Sequence, residues 1–334
     1  HSYRGYTLVT NLRGRYANLI DMEGRICHRW YSEEGIGYGY LLPNGHLLFR
    51  VNPDAEEVSF ATRPGGVPIR GGAAGGPNGA IIEVDWDGHP AWEHRQPLLH
   101  HDFERLPDGN TLVLLWEPMP AELAAQVQGG FSADGAAEEM LGDTVQEITP
   151  AGETVYQRRS WEHLDLAEDV ICHLEGRREW THQNALNVTP EGDLLVSFRQ
   201  TSTIGIVDKA SGDFRWKWGP GHISHQHHPT YLDNGRVLLF DNGCHKRGFT
   251  HSRVIEVDPN TSEIAWEYHG DPLMSFFTHF TGGAERLPNG NTLITEGASG
   301  RIFEVTPANR VVWEYINPFF ANGQQGFTNG VFRA

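Results

Sequence analysis

The feature that most restricts what this chain can fold into is an internal repeat. The segments "NTLITEGASGRIFEVTPANRVVWEY" (291–315) and "YTLVTNLRGRYANLIDMEGRICHRW" (6–30) share one layout. An apolar run and a Gly-containing turn lead to a second run closing on Asp or Thr-Pro. A short turn then leads to a third run that closes on an aromatic residue. The second run recurs as "AIIEVDWDG" (80–88), "TVQEITPAG" (144–152), "TIGIVDKASG" (203–212) and "RVIEVDPNT" (253–261), and the third as "AWEHR", "TVYQRR", "FRWKW" and "IAWEY". A preceding phrase repeats as well: "YLLPNGHLLF" (40–49), "ERLPDGNTLVLL" (104–115), "NVTPEGDLLVSF" (187–198), "YLDNGRVLLF" (231–240) and "ERLPNGNTLIT" (285–295). β-branched and aromatic residues in alternation mark strands, and the Asn/Asp/Pro-Gly clusters mark tight turns. The unit is therefore four antiparallel strands, and such units recurring at roughly 40 residues or more specify a β-propeller. The third-run aromatics Trp30, Trp92, Tyr156, Trp216, Trp266 and Trp313 count six blades. The expectation is an all-β, six-bladed propeller forming a single domain over residues 1–334. Its first blade begins at a second strand, and the terminal "NGVFRA" (329–334) is expected to supply the missing one and close the ring, which removes two sheet edges.

Composition fits this reading and narrows the partners. The 39 Gly and 19 Pro supply many tight turns, and the 10 Trp supply anchors. A formal net charge of −17 argues against nucleic acid and anionic membrane surfaces as partners. No run approaches the ~18 apolar residues of a membrane span. The three cysteines, Cys27, Cys172 and Cys244, form neither a disulfide framework nor a CxxC zinc pair and read as isolated thiols. No signal peptide stands at the start, which is His1, so exported and cytoplasmic locations both stay open, as does the oligomeric state.

Long insertions interrupt the repeat at about 51–79, 117–142 and 161–181. Loops of that length in a compact fold carry function, and these are expected to cover one mouth of the propeller; "GFSADGAAEEMLG" reads as partly helical. Against the repeat, the histidines fall at one place. Five residues before the closing apolar residue of the first strand stand His101 in blade 3 and His227 in blade 5. Blade 4 has Gln183 there, between His182 and Asn184. Blade 2 has Gly37 beside Tyr38, and blade 6 has Gly282 with His279 three residues earlier. The first strand of a blade lines the central channel, so these side chains should converge on one pocket at one mouth. Arg199, at the end of "VSFRQTS", points to the same mouth. Converging imidazoles can bind a transition metal, act in nucleophilic and acid–base catalysis, or bind an anion with an arginine. A cation beside them favours the last two. His222 and His225, further back in "GHISHQHHPTYLDNG", read as ordinary loop residues, as do His245 and His251.

Several of these phrases together resemble the arylsulfotransferase family of PAPS-independent aryl-sulfate sulfotransferases. They are "LIDMEGRICHRW", "HHDFERLPDGN", "WTHQNALN", "VSFRQ", "QHH…LLFDNG" and "GGAERLPNGNTLITEGASGRIFEVTP…VVWEY", which follow one another along nearly the whole chain. The resemblance is to a short, propeller-only branch. It implies ping-pong transfer of a sulfuryl group from an aryl sulfate to a phenol through a sulfo-histidine in the channel, without a cofactor. Position by position, it implies His227 as nucleophile, His182, Asn184 and Arg199 at the sulfuryl oxygens, and His101 at the leaving phenolate. His228 adjoins His227 and competes with it for the first role; with Tyr38 and His279 it is otherwise expected to bind an aromatic or anionic small molecule. Two alternatives stand beside this reading. One is a lyase or hydrolase on the same propeller, either His/Tyr-based or dependent on a divalent transition metal held by His101, His182, His227 and His279. The other is a propeller that binds a partner or glycan without catalysis.

Overall fold

The structure is a computed structural model and describes residues 1–51, 79–132, 139–323 and 326–334. Among the described residues, all but four of its strands fall into six blade sheets, as the repeat predicts, and the other four form two small two-stranded sheets. Blade 1 is β1 (Thr7–Thr10), β2 (Tyr16–Ile20) and β3 (Ile26–Tyr31), and blade 2 is β4 (Tyr38–Leu41), β5 (Leu47–Arg50), β6 (Ala80–Val84) and β7 (Pro90–Arg95). Blade 3 opens with β8 (Leu99–Arg105) and β9 (Thr111–Pro118). A helical turn (Ala121–Ala124) and β10 (Gly129–Phe131) follow, and β11 (Leu141–Ile148) and β12 (Thr154–Arg159) complete the blade. β13 (Ile171–Gly176) lies between blades 3 and 4 and pairs in parallel with β10. Blade 4 is β14 (Gln183–Val188), β15 (Leu194–Phe198), β16 (Thr203–Val207) and β17 (Phe214–Trp218). Blade 5 is β18 (His227–Tyr231), β19 (Val237–Asp241), β20 (Arg253–Asp258) and β21 (Glu263–His269). Blade 6 is β22 (Gly283–Arg286), β23 (Thr292–Glu296), β24 (Arg301–Val305) and β25 (Val311–Ile316), and a hairpin of β26 (Ala321–Gly323) and β27 (Gly326–Thr328) follows it.

The burial along each strand explains the sequence pattern. Middle strands are covered on both faces by neighbouring blades, so β5, β6, β15, β16 and β19 are buried at every residue and read as near-continuous apolar runs. Outer strands such as β7 and β25 have one wet face and alternate. The core accordingly lies between blades: Leu48 and Ile81 of blade 2 pack with Phe103 and Val113 of blade 3.

The repeated aromatic of the outer strand also has a specific partner. The indole N–H donates to the last turn of the following blade: Trp30 to Asp85 O (3.0 Å), Trp92 to Pro150 O (2.9 Å), Trp216 to Ser262 Oγ (3.2 Å) and Trp266 to Pro307 O (3.1 Å). Trp313 of blade 6 donates to Met22 O of blade 1 at 2.8 Å. Blade 3 has Tyr156 at this place, and Lys209 Nζ from the next blade's turn lies 5.5 Å from its ring centre. Among the described residues, the C-terminal segment meets blade 1 at one isolated antiparallel bridge, Asn11 to Val331, and Leu12 N donates to Gly330 O at 2.9 Å, short of the full strand expected of it. Blade 1 itself is a three-stranded sheet.

Of the insertions, 52–78 lies outside the described residues. In the segment expected to be partly helical, residues 133–138 are likewise outside, whereas the described ends belong to β10 and β11. The helical turn sits upstream, where Ala-rich "AELA" follows a proline.

Candidate active site

The inner strands of blades 3, 4 and 5 slip in register at one mouth. The slips fall between Leu99 and Phe103, between Gln183 and Ala185, and between His227 and Thr230. The same pair of strands in blades 2 and 6 runs unbroken. A bulge leaves residues out of the ladder and re-aims their side chains. It falls on the three blades that carry the predicted histidines. His101, His182 and His228 have φ of 48°, 51° and 48°, a strained conformation that costs about 1–3 kcal/mol apiece and is typical of functional positions.

His101 and His182 meet directly, with ring centres 4.5 Å apart. Behind His101 stands His100, which the sequence reading passed over. His100 Nδ1 lies 2.9 Å from His101 Nδ1, its ring stacks on Trp116, and its Nε2 lies 3.2 Å from Asp143 Oδ1. Burial disfavours charge on Asp143, but His100, Thr181 and the Gln183 amide outweigh it and hold the carboxyl below its ordinary range. His101 is itself held well below the ordinary histidine range, first by burial and then by His182 and His100. On the far side, His182 Nδ1 lies 2.7 Å from Glu179 Oε2.

His227 completes this group and has one fixed tautomer. Its Nδ1 lies 2.7 Å from Asn242 Oδ1. The Asn242 amide cannot be turned over, because its Nδ2 donates to Thr278 O (2.9 Å) and Thr281 O (2.8 Å). Its oxygen therefore accepts, His227 Nδ1 carries the proton, and Nε2 is left with a lone pair. Burial, followed by the charge of Arg199, pushes the His227 pKa down to about 3, so the ring is neutral at physiological pH. Arg199 Nη1 donates to Glu175 Oε1 at 2.9 Å. Glu175 is brought down to about 2: burial opposes the charge, but His225 and Arg199 outweigh it. Asn184 Nδ2 donates to Gln226 O at 2.8 Å and so fixes the backbone just before His227. The pKa of His279 is lowered, first by the partial burial of its ring and then by the charge of Arg199.

The other two predicted residues sit elsewhere. His228 points away from His227: a Cβ added at Gly283 would come within 2.7 Å of His228 Nδ1, and Arg333 is the charge that, after burial, most depresses this ring. Tyr38 lies under the Arg333 guanidinium, 4.1 Å from its ring centre. Arg333 in turn clasps Asp102 through Nη1 (3.1 Å) and Nη2 (2.5 Å). Among the described residues, the four histidines of the metal alternative are not a set of mutually close donor atoms. The set that is, with all donor atoms within 4.8 Å of one another, is Cys172, His225 and His245.

Sequence reasoning missed Asn242, which ends the phrase "LLFDNG" and reads as a turn residue, and it missed Glu175 and Glu179. Both carboxylates come from the 161–181 insertion, whose length was the signal available.

The model of the family described as Arylsulfotransferase (ASST) matches residues 75–318, well over half of the chain. The protein belongs to the arylsulfotransferase family. The arylsulfotransferase match runs from β6 of blade 2 to β25 of blade 6 and includes His101, His182, Arg199, His227 and Asn242. No curated protein matches the chain. Among solved structures, it is similar to a protein of unknown function from Bacteroides caccae, at 15% identity over 94% of this chain and 93% of that one, with a TM-score of 0.58. It is also similar to a streptogramin B lyase, at 12% identity, 98% and 88% coverage and a TM-score of 0.51. A third likeness is to hydrazine synthase of Kuenenia stuttgartiensis, at 13% identity, 90% and 73% coverage and a TM-score of 0.50. At these identities the likeness is one of fold, which arylsulfotransferases share with proteins of other activities.

Proposed function

We propose that the protein transfers a sulfuryl group from an aryl sulfate to a phenolic acceptor, with His227 Nε2 as the nucleophile. The observation that carries this reading is the Asn242 lock: a buried imidazole held neutral, with its proton on Nδ1 and its lone pair free beside Arg199. Family membership supports the reaction class.

In the first half-reaction the Nε2–S bond forms, the S–O bond to the aryl group breaks, and the phenolate leaves with the electron pair. The ring keeps its Nδ1 proton, and its new positive charge is met by Asn242 Oδ1. Arg199 and His182 face the sulfuryl oxygens, where negative charge is concentrated in the transition state. In the second half-reaction an acceptor phenol attacks sulfur, the N–S bond breaks and the electron pair returns to Nε2. The phenol proton goes to His101. Asp143 draws the proton of His100 to Nε2, so His100 Nδ1 accepts from His101 Nδ1, and the lone pair of His101 is left on Nε2. His101 then releases this proton to solvent, which balances the proton that the departed phenolate takes up there. Asn184 acts as a positioning residue through the Gln226 carbonyl.

Steady-state release of nitrophenol from p-nitrophenyl sulfate, with phenol as acceptor, should give parallel double-reciprocal lines. Asn242→Asp is expected to lower kcat about 10²-fold near neutrality, because a carboxylate at Nδ1 stabilises the imidazolium and raises the His227 pKa. The protonated ring is the inactive form, so the acid limb of kcat/KM moves to higher pH in this variant. An unchanged profile would remove Asn242 from the account.

A further inference from the structure

A second cluster of donor atoms lies beyond Arg199, on the outer side of Glu175, and sulfuryl transfer does not use it. Cys172 and Glu175 are both on β13, held to blade 4 by the Cys172 N–H, which donates to Gln200 O at 2.9 Å. His225 comes from the loop before β18 and His245 from the loop after β19. Cys172 Sγ lies 3.5 Å from His245 Nδ1, which lies 3.8 Å from Glu175 Oε1, and His225 Nε2 lies 3.1 Å from that same oxygen. A tetrahedral ion with bonds of about 2.0–2.3 Å has ligand-to-ligand edges of roughly 3.3–3.8 Å; the Cys172–His245 separation matches such an edge, and the donor atoms of Cys172, His225 and His245 all lie within 4.8 Å of one another.

The chemistry of His225 points the same way. The ring is fully buried. Its Nδ1 faces the Cys244 carbonyl at 3.2 Å and Ser224 Oγ at 3.0 Å, and that hydroxyl already donates to the same carbonyl. With Nδ1 turned to that carbonyl, Nε2 faces a carboxylate oxygen of Glu175 at 3.1 Å. A proton on Nε2 bridges the two in the metal-free protein, and a metal ion can take its place. A backbone carbonyl on the opposite nitrogen is the arrangement that orients metal-binding histidines. His225 and His245 also both have positive φ, 59° and 56°.

We propose that Cys172, His225 and His245 bind one divalent transition-metal ion, with the fourth position left to solvent. The set of one thiolate and two imidazoles suits zinc. The Glu175 carboxylate beside His225 adds negative charge near the ion. His245 is exposed and gives the ion a route in from solvent.

The test uses the whole chain, stripped with a chelator and titrated with Zn²⁺ against a chromophoric competitor, and with Co²⁺ as a spectroscopic probe. One equivalent of either ion should bind, and Co²⁺ should give a thiolate-to-metal charge-transfer band. Cys172→Ser should abolish the band and weaken Zn²⁺ binding on the order of 100-fold, and His245→Ala should weaken it similarly. His222→Ala, on the exposed part of the same loop, should change neither. Circular dichroism of each variant separates loss of a ligand from loss of the fold. Absence of stoichiometric binding would overturn the proposal. So would a Co²⁺ spectrum without the thiolate band, or an affinity that survives both substitutions.

Discussion

Replacing His227 with alanine is expected to abolish nitrophenol release from p-nitrophenyl sulfate, with a loss in kcat of about 10⁴ or more, the scale of removing a catalytic nucleophile. Replacing His228 should leave the initial burst of product in place. The two residues are adjacent in sequence and alternate in direction. His227 faces Asn242 and the field of Arg199, whereas His228 packs toward Gly283 and Arg333. A general effect of disturbing the bulge would reduce both variants alike. Comparable activity of His227→Ala and the unaltered protein would remove the nucleophile from the account.

The second large effect concerns stability. Arg333 and Asp102 form a buried bidentate ion pair between the C-terminus and blade 3. Asp102 also accepts the Phe103 amide at 3.0 Å and the Leu186 amide of blade 4 at 2.9 Å, so one carboxylate ties three parts of the chain together. Burial opposes the charge on Arg333, but Asp102 and Tyr38 outweigh it and raise its pKa. Arg333→Ala leaves that carboxylate buried without its partner and should cost about 3–5 kcal/mol in unfolding free energy. Denaturant titration measures this directly. The double variant Asp102→Asn/Arg333→Met should recover part of the loss, since an uncharged pair carries no uncompensated charge. A cost below about 1 kcal/mol for Arg333→Ala would mean that the pair is no better than a surface ion pair.

The blades were legible because each repeats the same physical demand. Two-sided burial makes β15 and β19 read as continuous apolar runs, and the outer-strand tryptophan recurs because each indole N–H needs the carbonyl or hydroxyl of the next turn. His101, His182 and His227 were legible through the same periodicity. What defeated the sequence reading was partnership across the ring. Asn242 reads as a turn residue until the Thr278 and Thr281 carbonyls are seen to orient it. Glu175 and Glu179 sit in an insertion with no second copy to compare. His225, expected to be an ordinary loop residue, is buried against Glu175 and the Cys244 carbonyl, and both contacts come from other segments. Tyr38 belongs with Arg333, at the other end of the chain, and no local pattern announces it.

The most direct measurement is the mass of the protein after donor is added without acceptor. Incubation with p-nitrophenyl sulfate, rapid quenching at alkaline pH and peptide mapping should place one SO₃ group on the peptide containing His227, and added phenol should remove it. Fragmentation assigns the modified ring. A sulfo group on His228, or turnover of the donor with no sulfated histidine at any time point, would contradict the account.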